Sequence, residues 1–230
     1  MVKSKIKLNW PIVGNGHIFE FLAKSLANKN VAGSYIFTGP ANIGKTTAAH
    51  FFARSLVCEA KNASVLPCGK CPACLAAAKG VHGDIYLIKK EPDKKNISID
   101  QVRDFIRSLS MSSFLNSYKI GIIKDAENLS EGAVNALLKT LEEPKVKVVI
   151  ILTVTDIEVL PKTILSRSQI LNFLPVNSAD IYDDLIKNHQ AQRSQAKNFS
   201  RLSAGRPALA LKFLEEEEYY KNYERLARSF

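Results

Sequence analysis

Apolar residues along the chain follow two periodicities, and the alternation between them predicts the architecture. Residues 34–38 (SYIFT), 84–89 (DIYLIK), 119–123 (KIGII), 146–153 and 169–173 are short runs rich in isoleucine, valine and aromatic side chains, the pattern of strands. The run over 146–153 is almost continuously valine and isoleucine, as a strand buried on both faces should be. Between these runs the spacing turns helical. Residues 18–26 place Phe19, Leu22, Ala23 and Leu26 on one side, residues 45–57 form a second helix, and a third has Val102, Phe105, Ile106 and Leu109 on its apolar face. Ser98 is placed to cap that third helix, with Gln101 three residues on. Residues 135–144 (NALLKTLEEP) read as a helix ended by Pro144. Strands alternating with helices predict an α/β fold, a parallel sheet with helices on both faces. Beyond Pro175 the pattern is helical alone, over 179–188, 192–203 and 207–214, and the tail 215–230 (EEEEYYKNYERLARSF) reads as one more helix.

One connection carries chemistry. Gly39-Pro40-Ala41-Asn42-Ile43-Gly44-Lys45-Thr46, followed by Thr47, fits G-x-x-x-x-G-K-[ST] and lies between a strand and a helix. In such a loop glycines let backbone N–H groups close around a polyphosphate. Lys45 reaches the terminal phosphates, Thr46 offers its hydroxyl to Mg²⁺, and the helix N-terminus points at the anion. The alternative is a glycine-rich turn that binds nothing. Upstream, Ile12 and Val13 are placed to wall an apolar slot for a purine base, although such residues also serve as ordinary core.

The second acidic motif of a P-loop ATPase belongs after the strand 119–123, with one Asp for Mg²⁺ and a Glu to polarise water. The chain reads Lys124-Asp125-Ala126-Glu127 there. A lysine beside the metal would repel it, so hydrolysis should be weak or absent; alternatively the register differs and Asp125 itself takes the metal. The two cases predict opposite activities.

All four cysteines lie within 17 residues, as Cys58 and then Cys68-x-x-Cys71-x-x-Cys74. The reading is one tetrahedral structural zinc, with an iron–sulfur cluster and unligated thiols as alternatives. His82 is expected at the surface, since four cysteines already satisfy the ion.

Charge adds a partner class. The net charge is +10, spread along the chain, which points to a polyanionic partner such as nucleic acid, or else serves solubility alone. Arg103 and Arg107, one turn apart, are placed to hold a phosphate backbone or a neighbouring subunit, or are simply solvated; Lys89 and Lys90 are further DNA candidates. The start (MVKSKIKLNWP) has no signal-peptide core and no apolar run is long enough to span a bilayer, so a cytoplasmic protein is expected.

Together, the cysteine module after the P-loop helix, the NALLKTLEEP helix and the run 160–168 (LPKTILSRS) resemble the bacterial DNA polymerase III clamp-loader ATPase family of the AAA+ class, and within it the delta-prime branch, over residues 9–214. The resemblance implies an AAA+ nucleotide-binding domain over 1–174 with a zinc module at 58–80, a helical lid over 175–214, and at 215–230 the start of a collar domain that the chain does not continue. It implies Zn²⁺ on Cys58, Cys68, Cys71 and Cys74, and ATP or ADP with Mg²⁺ at Ile12, Val13 and Gly39 to Thr47. Thr155 would be the sensor at a strand end and Arg206 the lid sensor on the phosphates. Arg167 would be an arginine finger reaching a neighbouring subunit's ATP, which suits its planar, permanent charge. Ser168 stands where the family usually has Cys, and Lys124-Asp125 where motor subunits carry Asp-Glu. Expected partners are gamma/tau-type and delta-type subunits, the sliding clamp and primed DNA. An ATP-hydrolysing motor subunit and an unrelated zinc-stabilised P-loop ATPase or kinase are the competing readings.

Overall fold

The computed structural model describes residues 6–60, 64–113, 118–143 and 147–227. The chain divides into two compact units, one holding residues 1–10, 17–39 and 45–172, the other 11–16, 40–44 and 173–230.

The first unit is built on a parallel sheet. In chain order its elements are β1 (Lys7–Leu8), α1 (Gly16–Ala27), β2 (Ser34–Thr38), α2 (Lys45–Val57), β3 (Val65–Leu66), α3 (Pro72–Ala78), β4 (Ile85–Ile88), α4 (Ile99–Ser110), β5 (Lys119–Ile123), α5 (Glu131–Glu142), β6 (Val148–Val154), α6 (Lys162–Leu165) and β7 (Gln169–Asn172). The five main strands run in the order β4-β5-β6-β2-β7, while β1 and β3 pair separately, Lys7 opposite Val65. Every residue of β2, β5 and β6 is buried, which is why these segments are apolar without alternation. On one face α4 and α5 pack Val102, Phe105, Leu109, Leu137 and Leu141 against Ile36, Ile123, Ile150 and Leu152. Close approach there requires Gly121, since a Cβ at that position would collide with the Phe105 ring. Elsewhere in the unit Tyr35 meets Phe52 edge to face at 5.2 Å, and Trp10 donates its indole N–H to Ser55 Oγ at 3.1 Å.

Several sequence expectations shift. The α4 cap forms as expected, with Ser98 Oγ accepting from Gln101 N–H and Gln101 Oε1 accepting from Ser98 N–H. Helix α5 begins four residues before 135, because Ser130 accepts from Ala133 N–H and starts it there. Its expected end at Pro144, and Val146 of the next strand, lie outside the described residues. His82 is buried at 8% exposure, contrary to its surface assignment; its Nδ1 accepts from Asp84 N–H at 3.1 Å. Beside it, Lys119 Nζ lies 3.7 Å from Asp84 Oδ1 with both side chains almost fully buried.

The second unit is helical, with α7 (Ser178–His189), α8 (Arg193–Leu202), α9 (Pro207–Glu215) and α10 (Glu217–Ala227). Its core gathers Val176, Ile181, Leu185, Phe199, Leu209 and Phe213, with Tyr219, Tyr220 and Tyr223 of α10 packed against it. Gly205 takes φ 78, and a Cβ there would press on Pro175 and the Val176 backbone.

Candidate functional site

The loop over 39–46 joins β2 to α2, and its backbone is the unusual part. Gly39, Asn42 and Gly44 take φ 138, 61 and 105, conformations that glycine and, less readily, asparagine adopt. Lys45 is buried in the first turn of α2 and donates from Nζ to Gly39 O at 2.5 Å. Burial pushes its ammonium below the ordinary lysine value, while the carboxylates of Glu127 and then Asp125 hold it up. A buried cation beside a glycine-lined turn at the N-terminus of a 13-residue helix fits a phosphate group. Thr46 is half-buried and Thr47 exposed. Within the second unit, Asn42 O accepts from Ala208 N–H at 3.1 Å, and a Cβ on Gly44 would lie 3.9 Å from the Ile12 methyl. Val13 packs instead on the helical core. Arg206 is fixed by two bonds, Nε to Ser203 O at 2.8 Å and Nη2 to Tyr223 Oη at 3.1 Å.

At the end of β5 the chain turns sharply. Asp125 is left-handed, with φ 53, and donates its N–H to Thr153 Oγ1 at 3.0 Å. Its carboxylate is half-exposed and 3.9 Å from Lys124 Nζ. A single 3-10 turn, Ala126–Asn128, then brings Glu127 around. Glu127 Oε1 accepts from both Thr155 N–H, at 3.2 Å, and Thr155 Oγ1, at 2.6 Å, and its Oε2 is buried with no partner among the described residues. Reading the residue types singles out Lys124 and Asp125, but Glu127 grips the end of β6 and acts on Lys45 more strongly than Asp125 does. The sequence signal for this was weak, since it depends on the backbone angle at Asp125.

Arg167 follows α6, 36% exposed, with Nη2 3.2 Å from Glu142 Oε1 and Nη1 donating to Thr163 O at 2.9 Å. Its neighbour Ser168 shares a 2.8 Å hydrogen bond with Ser34 Oγ, at the start of β2. Arg103 and Arg107 are exposed and each pairs within its own helix, with Asp100 and Asp104. These two acids offset the formal charge of the two arginines. Lys89 and Lys90 are exposed after β4.

The cysteines converge fully. Cys58 follows α2, Cys68 and Cys71 lie on the next loop, Cys74 sits in α3, and the four sulfurs all lie within 4.8 Å of one another. Cys68 Sγ and Cys74 Sγ are 3.9 Å apart, close to the edge of about 3.8 Å for a tetrahedron with Zn–S bonds of about 2.3 Å. Cys74 N–H points at Cys71 Sγ, at 3.4 Å, and Cys68 N–H at Cys58 Sγ, at 3.5 Å, contacts that favour thiolates. The backbone N–H groups of Lys70 and Cys71 bring the Cys68 thiol down to about 6, whereas burial pushes those of Cys58 and Cys74 up. A shared dication offsets that desolvation. The arrangement suits one ion of the zinc type.

Comparison with known proteins adds what geometry alone does not. The family model described as "DNA polymerase III, delta subunit" matches residues 14–177. The chain belongs to the DNA polymerase III clamp-loader family. Among curated relatives of this clamp-loader chain, the subunit tau of Bacillus subtilis is 35% identical over 189 residues, covering 82% of this chain and 33% of its own length. The delta' subunit of Pseudomonas aeruginosa is 38% identical over 136 residues, 59% of this chain and 41% of its own. The clamp-loader chain thus spans about a third to two-fifths of these relatives. Among solved structures, the Thermotoga maritima RuvB Holliday junction branch migration motor superposes with TM-score 0.58 at 14% identity, over 87% of this chain and 60% of that one, which establishes the AAA+ fold. Among the described residues no helix is long and apolar enough to cross a membrane.

Proposed function

We propose that the chain is a delta-prime-type subunit of a bacterial, cytoplasmic DNA polymerase III clamp loader. It helps place the sliding clamp on primed DNA and donates Arg167 to ATP held by a neighbouring gamma/tau-type subunit in a hetero-oligomer that also contains a delta-type subunit. The observation that supports this reading is Lys124, directly after β5 where the metal-binding acid is expected, with its Nζ 3.9 Å from Asp125. An ammonium there opposes Mg²⁺, so the chain's own site retains nucleotide at Gly39 to Thr47 without turning it over.

Residue roles follow from the same reading. Lys45 and the loop N–H groups hold phosphates, Ile12 and Val13 flank the base, and Thr155 and Arg206 stand at the strand-end and lid sensor positions. Bound Mg²⁺ would be held by Thr46 and would supply charge neutralisation on the phosphates. Zn²⁺ on Cys58, Cys68, Cys71 and Cys74 would be structural, since four thiolates leave it no open position. For Arg167 to reach a neighbour, its fork exchanges Glu142 for phosphate, a permanent charge moving between two anions.

A motor-subunit reading is favoured by one observation, the 35% identity to a tau subunit over most of the chain. The deciding experiment reconstitutes the complex with its motor partner and compares wild type with Arg167→Ala for ATPase stimulated by clamp and primed DNA. Removal of a finger of this kind is expected to lower turnover by about 10³-fold. A mutant as active as wild type overturns the trans role.

A further inference from the structure

The contact between Glu127 and Thr155 joins residues 28 apart in sequence, and it uses both donors of Thr155. The hydroxyl proton and the backbone N–H go to the same carboxylate oxygen, at 2.6 and 3.2 Å. Thr155 is the first residue beyond β6 and is exposed, so its hydroxyl is not held back by packing. A threonine hydroxyl has one proton, and an anionic phosphate oxygen can be bound only by a donor. With that proton given to Glu127, Thr155 presents lone pairs.

The rest of Glu127 works in the same direction. Its second oxygen is buried with no partner among the described residues, so the carboxylate enters the site with uncompensated acceptor capacity. On α2, the Lys45 ammonium is held up electrostatically by Glu127 first and by Asp125 second. A negative charge acting on the lysine that receives the last phosphates opposes an added phosphate more than the phosphates closer to the base, which lie further from it.

We propose that Glu127 is a positioning residue that silences Thr155, making the nucleotide site of this chain indifferent to the third phosphate. The site then holds ADP and ATP alike, as a fixed element of the fold. This rests on the reading of Gly39 to Thr47 as a nucleotide site.

The test measures equilibrium affinity of the 230-residue chain for ADP and for the non-hydrolysable analogue adenylyl imidodiphosphate, both with Mg²⁺. Wild type is expected to bind the two within about twofold of each other. Glu127→Ala releases both donors and the charge, and should shift preference toward the triphosphate analogue by about tenfold, the worth of one hydrogen bond to a charged group. Glu127→Gln keeps an accepting oxygen and loses the charge, so it should fall between. Adding Thr155→Val to Glu127→Ala should take the hydroxyl's share of the gain away. Damage to folding lowers both affinities together and cannot create a preference. An unchanged ratio in Glu127→Ala, or a wild type that already prefers the analogue tenfold, overturns the inference and leaves the nucleotide site standing. Failure of wild type to bind either nucleotide overturns both.

Discussion

The two ends of α2 hold the two chemical centres of the first unit, about 20 Å apart along a 13-residue helix, and they have had different fates. At the C-terminal end Cys58 joins three more cysteines in a set with every ligand present and within 4.8 Å. At the N-terminal end Lys45 and its glycines are intact, yet the strand opposite delivers a lysine first and a left-handed aspartate second. In the proposed reading the first centre tolerates no loss, because a zinc ion there would be shared among all four thiolates. In the same reading the other would lack its metal acid and still cradle phosphate, because backbone N–H groups of such a loop do most of the holding.

The largest effect that would break this contrast concerns the cysteine end. Cys74→Ser, or chelation, should remove one zinc per chain and cost several kcal/mol, less than the roughly 10–16 kcal/mol of isolated zinc-dependent peptides because the sheet remains. Metal analysis and thermal melting read it; a colourless, metal-free chain with an unchanged melt contradicts the structural role, and a visible absorption band would point to iron. Next, Lys45→Ala should weaken nucleotide binding by about a hundredfold, two charge-assisted hydrogen bonds' worth, and leave zinc content unchanged, which calorimetry and metal analysis check together. Loss of zinc in that variant would show the two ends to be coupled.

A smaller effect sharpens the electrostatics. Burial lowers the Lys45 value in the folded chain, so between that lowered value and the ordinary 10.5 the unfolded chain binds one more proton than the folded one, and stability rises with pH. Below the folded value both states are protonated and the penalty is constant. Lys45→Met should flatten this rise, seen as the difference between two denaturation series over alkaline pH. A difference that falls with pH contradicts the sign.

Legibility in the sequence followed the range of the interaction. Cysteine spacing and the P-loop are local patterns, and the strand runs of β2, β5 and β6 carry their burial in their composition. The β1–β3 pair was missed because two residues per strand give no periodicity, and α3 because its start is set by Cys71 and Pro72 inside the metal loop. His82 was misplaced since its burial depends on Asp84 and the Lys119 strand, 37 residues on. The Glu127 grip on Thr155 needed both a positive φ at Asp125 and the β5–β6 register, neither of which residue types announce.

The nucleotide site is proposed to bind without hydrolysing. Binding of ATP and release of phosphate by the isolated chain, measured on one sample, test it most directly. Saturable binding with no turnover above background is expected in the wild type. Brisk turnover that disappears in Asp125→Ala would contradict it, because Asp125 would then be a working metal ligand and the chain a motor.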